Sequence, residues 1–321
     1  MRKWGGNWLG LLATVCCLNL GAYGADRKPP LITGWRLAAQ GSLEVRAKAA
    51  DRKAPLVELG AGAIVPAFET KQAGGRLWVR VQAVDPAKPT AQVGWIDSTR
   101  VEALPLEEIP HDETILKLLG GAWLDDTTAR NTAVARYRLR QGEKEPALVC
   151  YLGGDMIGQT RLQILTRSQG QWVAGPYVEF PYADVQSAVT RIEIRDLLGD
   201  GNECIITREP FAAGPQNAGV HTVVRRLEKG ELKILWKAPL EACNLASYPA
   251  TRRALQPPEA NIGMPGTVTK GELEFRARGR LTDLVWKGKV EFHVLGREEP
   301  VESVAIEKVC AWDGTKFAPL Q

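Results

Sequence analysis

The sequence predicts an all-β protein: a small barrel followed by a β-propeller-like or layered antiparallel meander domain. Short runs in which apolar and polar residues alternate recur along the chain, for example LWVRVQAV, RLQILT and KVEFHVL. Such alternation is typical of half-buried strands, and the glycine, proline and aspartate residues between the runs favour turns. Only residues 112–123 have helical spacing, with Asp112 as the expected N-cap and Gly120 as the expected end.

The first 24 residues have the composition of a secretory signal peptide. The basic pair Arg2 and Lys3 precedes an apolar run over residues 8–20, and a small-residue cleavage site ends at Gly24. The apolar run is shorter than the ~20 residues that cross a bilayer, and no second apolar span follows it. We therefore expect residues 1–24 to be removed, which leaves a secreted or periplasmic protein without a transmembrane anchor.

The charge of the chain disfavours two classes of partner. The formal net charge is +4 over 321 residues, and cleavage after Gly24 removes two of the basic residues. A nearly neutral chain without a basic block interleaved with aromatic residues is not suited to nucleic acid, nor to an anionic membrane surface. The expected partner is a peptide, cell-wall or protein ligand.

Four cysteines follow the leader: Cys150, Cys204, Cys243 and Cys310. In an exported chain an even number of cysteines suggests disulfides. Because Cys150 and Cys204 occupy comparable strands of successive units, we predict the bridges Cys150–Cys204 and Cys243–Cys310. Buried free thiols are the alternative. Zinc is improbable, since no cysteine has a CxxC partner or a nearby histidine.

The segment EALPLEEIPHDE predicts a boundary between two domains. It contains two prolines and five acidic residues and lacks β-type alternation. We therefore expect a first domain over residues 25–102, a linker over 103–113 and a second domain over 114–321.

The first domain resembles a bacterial SH3 domain in four of its segments. LEVRAKA matches the opening strand, LVELGAGAIV the step into the next strand, GRLWVRV the tryptophan strand, and VGWIDSTRVE the closing strand. The resemblance implies a small barrel that binds cell-wall peptide, another peptide or a segment of its own chain. Trp78 and Trp95 are the candidate ligand-binding residues, because aromatic rings supply large contact areas; burial in the core is the alternative.

The second domain contains three similar hairpins. RLQILTRSQGQWVAGPYVEF, HTVVRRLEKGELKILWKAPL and SVAIEKVCAWDGTKFAPL each have a strand, a turn with glycine (SQGQ, EKGE or WDGT) and a second strand ending near proline. Repeated hairpins suggest blades or a layered meander, since each apolar face needs a neighbour to cover it.

The segment DLLGDGNECII resembles the calcium loop of FG-GAP, or integrin-like, propeller repeats. Asp196 and Asp200 match its carboxylates, whereas Leu198 and Cys204 stand where oxygen ligands belong. Ca²⁺ needs six to eight oxygen ligands, so this degenerate loop predicts a turn and no metal site.

The inventory of catalytic residues is short. The sequence contains His111, His221 and His293, without a second histidine or a cysteine at metal-ligand spacing from any of them and without a nucleophile-elbow, zinc-helix or P-loop motif. We therefore expect no cofactor, no catalytic residues and a non-catalytic binding protein of the cell envelope. A cell-wall hydrolase with the barrel as targeting module is the alternative, and a cleft joining His221 or His293 to a carboxylate would favour it.

Overall fold

The computed structural model describes residues 35–85, 88–104, 109–119, 133–142, 144–153, 161–180, 191–212, 217–244, 266–293 and 299–320. It confirms the all-β fold class, with several antiparallel sheets and a single short α-helix in the described part of the chain. The leader predicted over residues 1–24 lies outside the described residues. No helix in the described ranges has the length and apolar character needed to cross a bilayer.

The elements follow one another as the alternating runs predict. The strands are Trp35–Ala39 (β1), Leu43–Val45 (β2), Val57–Leu59 (β3), Ala63–Ala73 (β4), Arg76–Asp85 (β5), Lys88–Asp97 (β6), Val101–Leu104 (β7), Ala133–Gln141 (β8), Lys144–Gly153 (β9), Arg161–Ser168 (β10), Gln171–Glu179 (β11), Arg191–Arg195 (β12), Cys204–Ala212 (β13), Asn217–Glu228 (β14), Glu231–Asn244 (β15), Gly266–Arg278 (β16), Leu281–His293 (β17), Glu302–Trp312 (β18) and Phe317–Pro319 (β19). The helix is Asp112–Leu118 (α1), and a 3₁₀ turn covers Ser98–Arg100.

The first sheet contains nine antiparallel strands. Its order is β11-β10-β9-β8-β4-β1-β7, and β5 pairs with both β4 and β6. The strands β2 and β3 form a separate hairpin, and Arg46, just after β2, bridges to Trp95 of β6. Both outer strands of the β4-β5-β6 meander are therefore contacted by the preceding part of the chain. The strand β1 pairs with β4, and Arg46 bridges to β6.

This sheet continues across the segment that we predicted to separate two domains. Ala63 and Ile64 of β4 pair with Tyr137 and Arg136 of β8, so strands on both sides of residues 103–113 share hydrogen bonds. The division into domains stays a prediction, and the pairing shows that the two stretches are directly connected.

The second sheet is an antiparallel meander of eight strands, in which β12 to β19 each pair with the next strand along the chain. The turns predicted at SQGQ and EKGE are confirmed. Gln169 and Gly170 have φ of 52° and 79°, and Lys229 and Gly230 have φ of 50° and 84°, which is the geometry of tight hairpins. The first of the three similar hairpins, β10-β11, lies in the first sheet and the other two lie in the second.

The two sheets pack against each other at the start of β12. Ile194 N donates a hydrogen bond to Ala61 O at 3.0 Å, and Ile192 is buried in the same hydrophobic cluster as Leu59 and Tyr137. Gly60 permits this contact, because a Cβ atom at that position would lie 1.8 Å from Ile192 O.

The helix α1 begins one residue earlier than its cap prediction requires. We expected Asp112 to be the N-cap, but His111 occupies that position, with an extended backbone and no side-chain cap. Asp112 is already helical, so the cap prediction is wrong. The predicted apolar face is confirmed at Ile115 and Leu119, which are buried against the first sheet. The predicted end at Gly120 lies outside the described residues.

Candidate functional site

A cleft of about 650 Å³ lies between β15 and the last strands of the second sheet. We call it the edge cleft. Its walls are mainly apolar, and they include Ile234, Trp236, Pro239, Trp286, Ile306 and Phe317. The concentration of aromatic rings in one cleft makes it a candidate binding site.

The edge cleft exists because β15 separates from β16. Along its whole length β15 pairs with β14, but its pairing with β16 is confined to Glu241–Asn244 in the described sheet. The preceding stretch of β15, residues 234–240, therefore has one free edge. On the opposite wall β19 pairs with β18 alone.

A pair of glycines holds the main aromatic residue of the cleft in place. Gly271 and Gly288 face each other across β16 and β17, and a Cβ atom on either would collide with the Trp286 ring, at 2.6 Å from Nε1 and 2.1 Å from Cη2 respectively. The ring therefore lies flat on the backbone. Its Nε1 donates a hydrogen bond to Pro239 O at 2.8 Å, which ties β17 to β15 across the cleft.

The aromatic walls are rigid, and the mouth of the cleft is accessible. Trp236 and Phe317 are buried, and the Phe317 ring packs edge-to-face on Trp312 at 5.5 Å. At the mouth, the apolar side chain of Ile234 is 50% exposed. An apolar ligand can thus reach a preformed surface.

Three lysines, Lys237, Lys308 and Lys316, also line the cleft, and no carboxylate does so among the described lining residues. Lys308 is exposed and lies directly opposite Trp286 in the ladder of β17 and β18, so both side chains share one face of the sheet. An apolar wall beside ammonium groups suits a ligand that has both apolar and negatively charged parts.

The loop that resembles a calcium site is stabilised by its own backbone. The Asp196 carboxylate accepts hydrogen bonds from the amides of Leu198, Gly199 and Gly201, at 3.2, 2.7 and 3.0 Å. Asp200 accepts from Asn202 N and forms an ion pair with Arg226 at 2.6 Å. Partial burial alone would raise the pKa of Asp200, but these hydrogen bonds and the arginine outweigh it and lower that pKa.

The loop also links neighbouring elements. Leu197 O accepts a hydrogen bond from Thr282 N of β17 at 2.8 Å, and Gly201 O accepts one from Gly142 N at 3.0 Å. Within the described ranges no group of three or more His, Cys, Asp or Glu side chains is arranged to hold a metal ion. The loop thus acts as a junction between the two sheets.

The two predicted ligand tryptophans lie on one face of the β5-β6 pair, but they differ in exposure. Trp78 is 9% exposed, and its Nε1 donates to Ala73 O at 3.1 Å. Trp95 is half-buried and exchanges two backbone hydrogen bonds with Arg46, of 2.9 and 2.7 Å. Of the two, Trp95 has the larger surface to offer a ligand.

The histidines lie in three separate environments. His221 stacks on Phe211 at 3.9 Å; burial and then the charge of Lys237 lower the pKa of His221 to about 4. Glu209, opposite His221, is held by Arg225. His293 Nε2 lies 3.6 Å from Glu291 Oε2. Neither His221 nor His293 lines any of the described clefts.

A second cleft, of about 620 Å³, opens where β5 and β8 diverge from β4. We call it the fork cleft. His111 and Glu113 line it, together with Arg136 and Tyr137 of β8. Among the described clefts, this one is lined by both a histidine and a carboxylate. We expected His111 to lie in the linker between the two domains.

Three of the four cysteines carry buried free thiols, namely Cys150, Cys204 and Cys310. Burial raises the pKa of both Cys150 and Cys204 to about 12. Cys150 belongs to the hydrophobic cluster around α1, and Cys204 and Cys310 belong to the cluster of the second sheet. The side chain of Cys243 lies outside the described residues. The proposed disulfide pairing stays a prediction.

No protein-family model, curated protein or solved structure matches this chain. The function therefore has to be inferred from its own residues. The sequence does contain a signal for the edge cleft that our reading missed. Lysine adjoins an aromatic residue in LWKAPL and TKFAPL, and Trp286 lies between apolar residues and glycine in LVWKGK. These segments are distant in sequence and meet only in the folded sheet.

Proposed function

We propose that this protein is an exported, non-catalytic binding protein of the cell envelope, which acts in the secreted or periplasmic space on a peptide, cell-wall or protein ligand. The edge cleft carries the proposal. It combines a rigid aromatic wall, an exposed apolar mouth and three lysines, and no described histidine or carboxylate lines it. Such a surface can bind a ligand, and its described lining has no histidine–carboxylate pair for acid–base catalysis.

We also propose that β1 to β7 form a small barrel of the SH3-like class. The antiparallel pairing of β1, β4, β5 and β6 supports this assignment, and so does the bridge from Arg46 to Trp95. In that barrel Trp95 would be the ligand-facing tryptophan. For the second sheet, the sequential order of its strands supports the layered meander rather than separate propeller blades.

A cell-wall hydrolase is the second candidate, and one observation favours it. His111 and Glu113 both line the fork cleft, where a histidine and a carboxylate are the residue types that hydrolysis needs. The observations on His221 and His293 do not support this candidate, because neither residue lines a described cleft.

Co-sedimentation with purified cell wall tests the binding proposal. We expect the mature protein to be retained by the wall. Two variants locate the contact: Trp95→Ala on the barrel and Ile234→Ala at the mouth of the edge cleft. Both side chains are at least partly exposed, so both variants should fold, which circular dichroism would check. Weaker retention of Ile234→Ala alone would assign the contact to the edge cleft. No retention of the wild-type protein would exclude the cell-wall ligand and leave a peptide or protein ligand.

A further inference from the structure

We propose that the edge cleft binds an extended peptide segment in which acidic and apolar side chains alternate. The inference rests on the binding function proposed above and names its ligand. Three features of the cleft carry it: a strand edge that is unpaired in the described sheet, an aromatic wall and a set of three lysines in a lining without carboxylates.

The free edge of β15 favours an extended ligand. Residues 234–239 lie along the cleft, and at about 3.3 Å per residue such a stretch is roughly 20 Å long. Pro239 O points into the cleft, because it accepts the hydrogen bond from Trp286 Nε1. Alternate residues of a strand direct their backbone groups to the same edge, so Lys237 offers its N–H and C=O groups there too. Pro239 has no N–H, and side-chain contacts must therefore supply the remaining affinity.

The composition of the walls selects the side chains of the ligand. Apolar side chains would contact Trp286, Phe317 and the exposed Ile234. Acidic side chains would contact Lys237, which is exposed and, as the neighbour of Trp236 in β15, lies on the opposite face of the strand. In an extended peptide neighbouring side chains point in opposite directions, so an alternating sequence satisfies both requirements.

The lysines are available for a ligand. In the described part of the chain, Lys237, Lys308 and Lys316 line the cleft without forming an ion pair. Lysine and proline at a strand edge also hinder pairing between identical edges. A second copy of β15 would bring the same lysines to the cleft, so charge complementarity favours an acidic partner over this edge of another copy.

Fluorescence anisotropy with synthetic peptides tests the proposal. The probes are a labelled Glu-Val-Glu-Val-Glu-Val peptide and its Lys-Val counterpart, added to the full mature chain. We expect only the acidic peptide to bind, and we expect its affinity to fall as salt is raised. Lys237→Glu should weaken binding by about tenfold or more. Lys270→Glu is the matched control, because Lys270 is also exposed on the second sheet but lines a different surface depression.

Several outcomes would overturn the inference. Equal binding of the two peptides would show that charge does not select the ligand, and an unchanged affinity of Lys237→Glu would place the peptide elsewhere. Binding of phosphatidylglycerol vesicles in place of the acidic peptide would identify a lipid ligand instead. If neither peptide binds while the protein is retained by cell wall, this inference fails and the proposed binding function survives. Release of soluble wall fragments would instead overturn the proposed function itself.

Discussion

Trp286 shows how single residues shape the edge cleft. Its ring lies on Gly271 and Gly288, where side chains of any size are excluded, and its indole N–H is bonded to Pro239. Glycine usually weakens a strand because it packs no side chain. Here the neighbouring indole covers the two glycines and restores the missing contacts. The glycine pair and the tryptophan therefore form one unit.

We expect Gly288→Ala to destabilise the protein by about 1–3 kcal/mol, because the added methyl group must displace the Trp286 ring. The displaced ring loses its hydrogen bond to Pro239, so ligand retention should weaken as well. Urea unfolding measures the first effect and co-sedimentation the second. Gly41→Ala is the control, since nothing lies within 4 Å of the Cβ position there. Equal stability of the two variants would contradict the packing of Trp286 described above.

At the scale of strands and turns, local chemistry predicted most elements. Alternating apolar residues identified the strands, and the glycines of SQGQ and EKGE identified two hairpins, because positive φ is required there whatever the remainder of the chain does. Which edges stay unpaired was not predictable. The separation of β15 from β16 depends on contacts between residues far apart in sequence, and no local pattern encodes such contacts.

A buried ion pair joins β13 and β14. Arg225 and Glu209 are 5% and 8% exposed, and Arg225 Nη2 donates to Glu209 Oε2 at 2.9 Å. We expect Arg225→Ala to cost about 3–5 kcal/mol, because it leaves a buried carboxylate without its partner. Arg80→Ala breaks an exposed ion pair with Glu69 and should change stability by about 1 kcal/mol or less. Chemical denaturation compares them, and similar losses would show that Glu209 is solvated.

The loop from Asp196 to Asp200 should not bind calcium. Its carboxylates already accept hydrogen bonds from backbone amides, and Asp200 also forms an ion pair with Arg226. Thermal melts with Ca²⁺ and with a chelator should therefore coincide, since only a ligand bound to the folded state raises the melting temperature. A calcium-dependent rise in melting temperature that is lost in Asp196→Ala would contradict this prediction and identify a calcium site in the loop.

At the scale of the whole molecule, the contact between the sheets is decisive. Gly60 allows the backbone before β4 to touch Ile192 at the start of β12, and one hydrophobic cluster includes residues of both sheets. The sequence suggested two domains from a proline-rich acidic segment. It gave no sign that β8 to β11 would extend the first sheet or that β12 would pack on it, because both contacts are long-range.

We expect Gly60→Ala to lower stability by about 3 kcal/mol or more, since a Cβ atom there would lie 1.8 Å from a backbone oxygen and the two sheets would have to separate. Because the sheets share a core, the wild-type protein should unfold in one transition. Circular dichroism and tryptophan fluorescence, followed together in urea, would detect this. Two separate unfolding transitions, both unchanged in Gly60→Ala, would show that the sheets fold independently.

The release of soluble fragments from purified cell wall most directly tests whether this protein only binds. Mature protein is incubated with the wall, and soluble sugar and peptide are measured over time against a protein-free control. We expect no release above that control, because no described acid–base pair lines the edge cleft. Release that grows with time and protein concentration, and that is lost in His111→Ala or Glu113→Gln, would contradict the binding function and identify the fork cleft as the active site of a hydrolase.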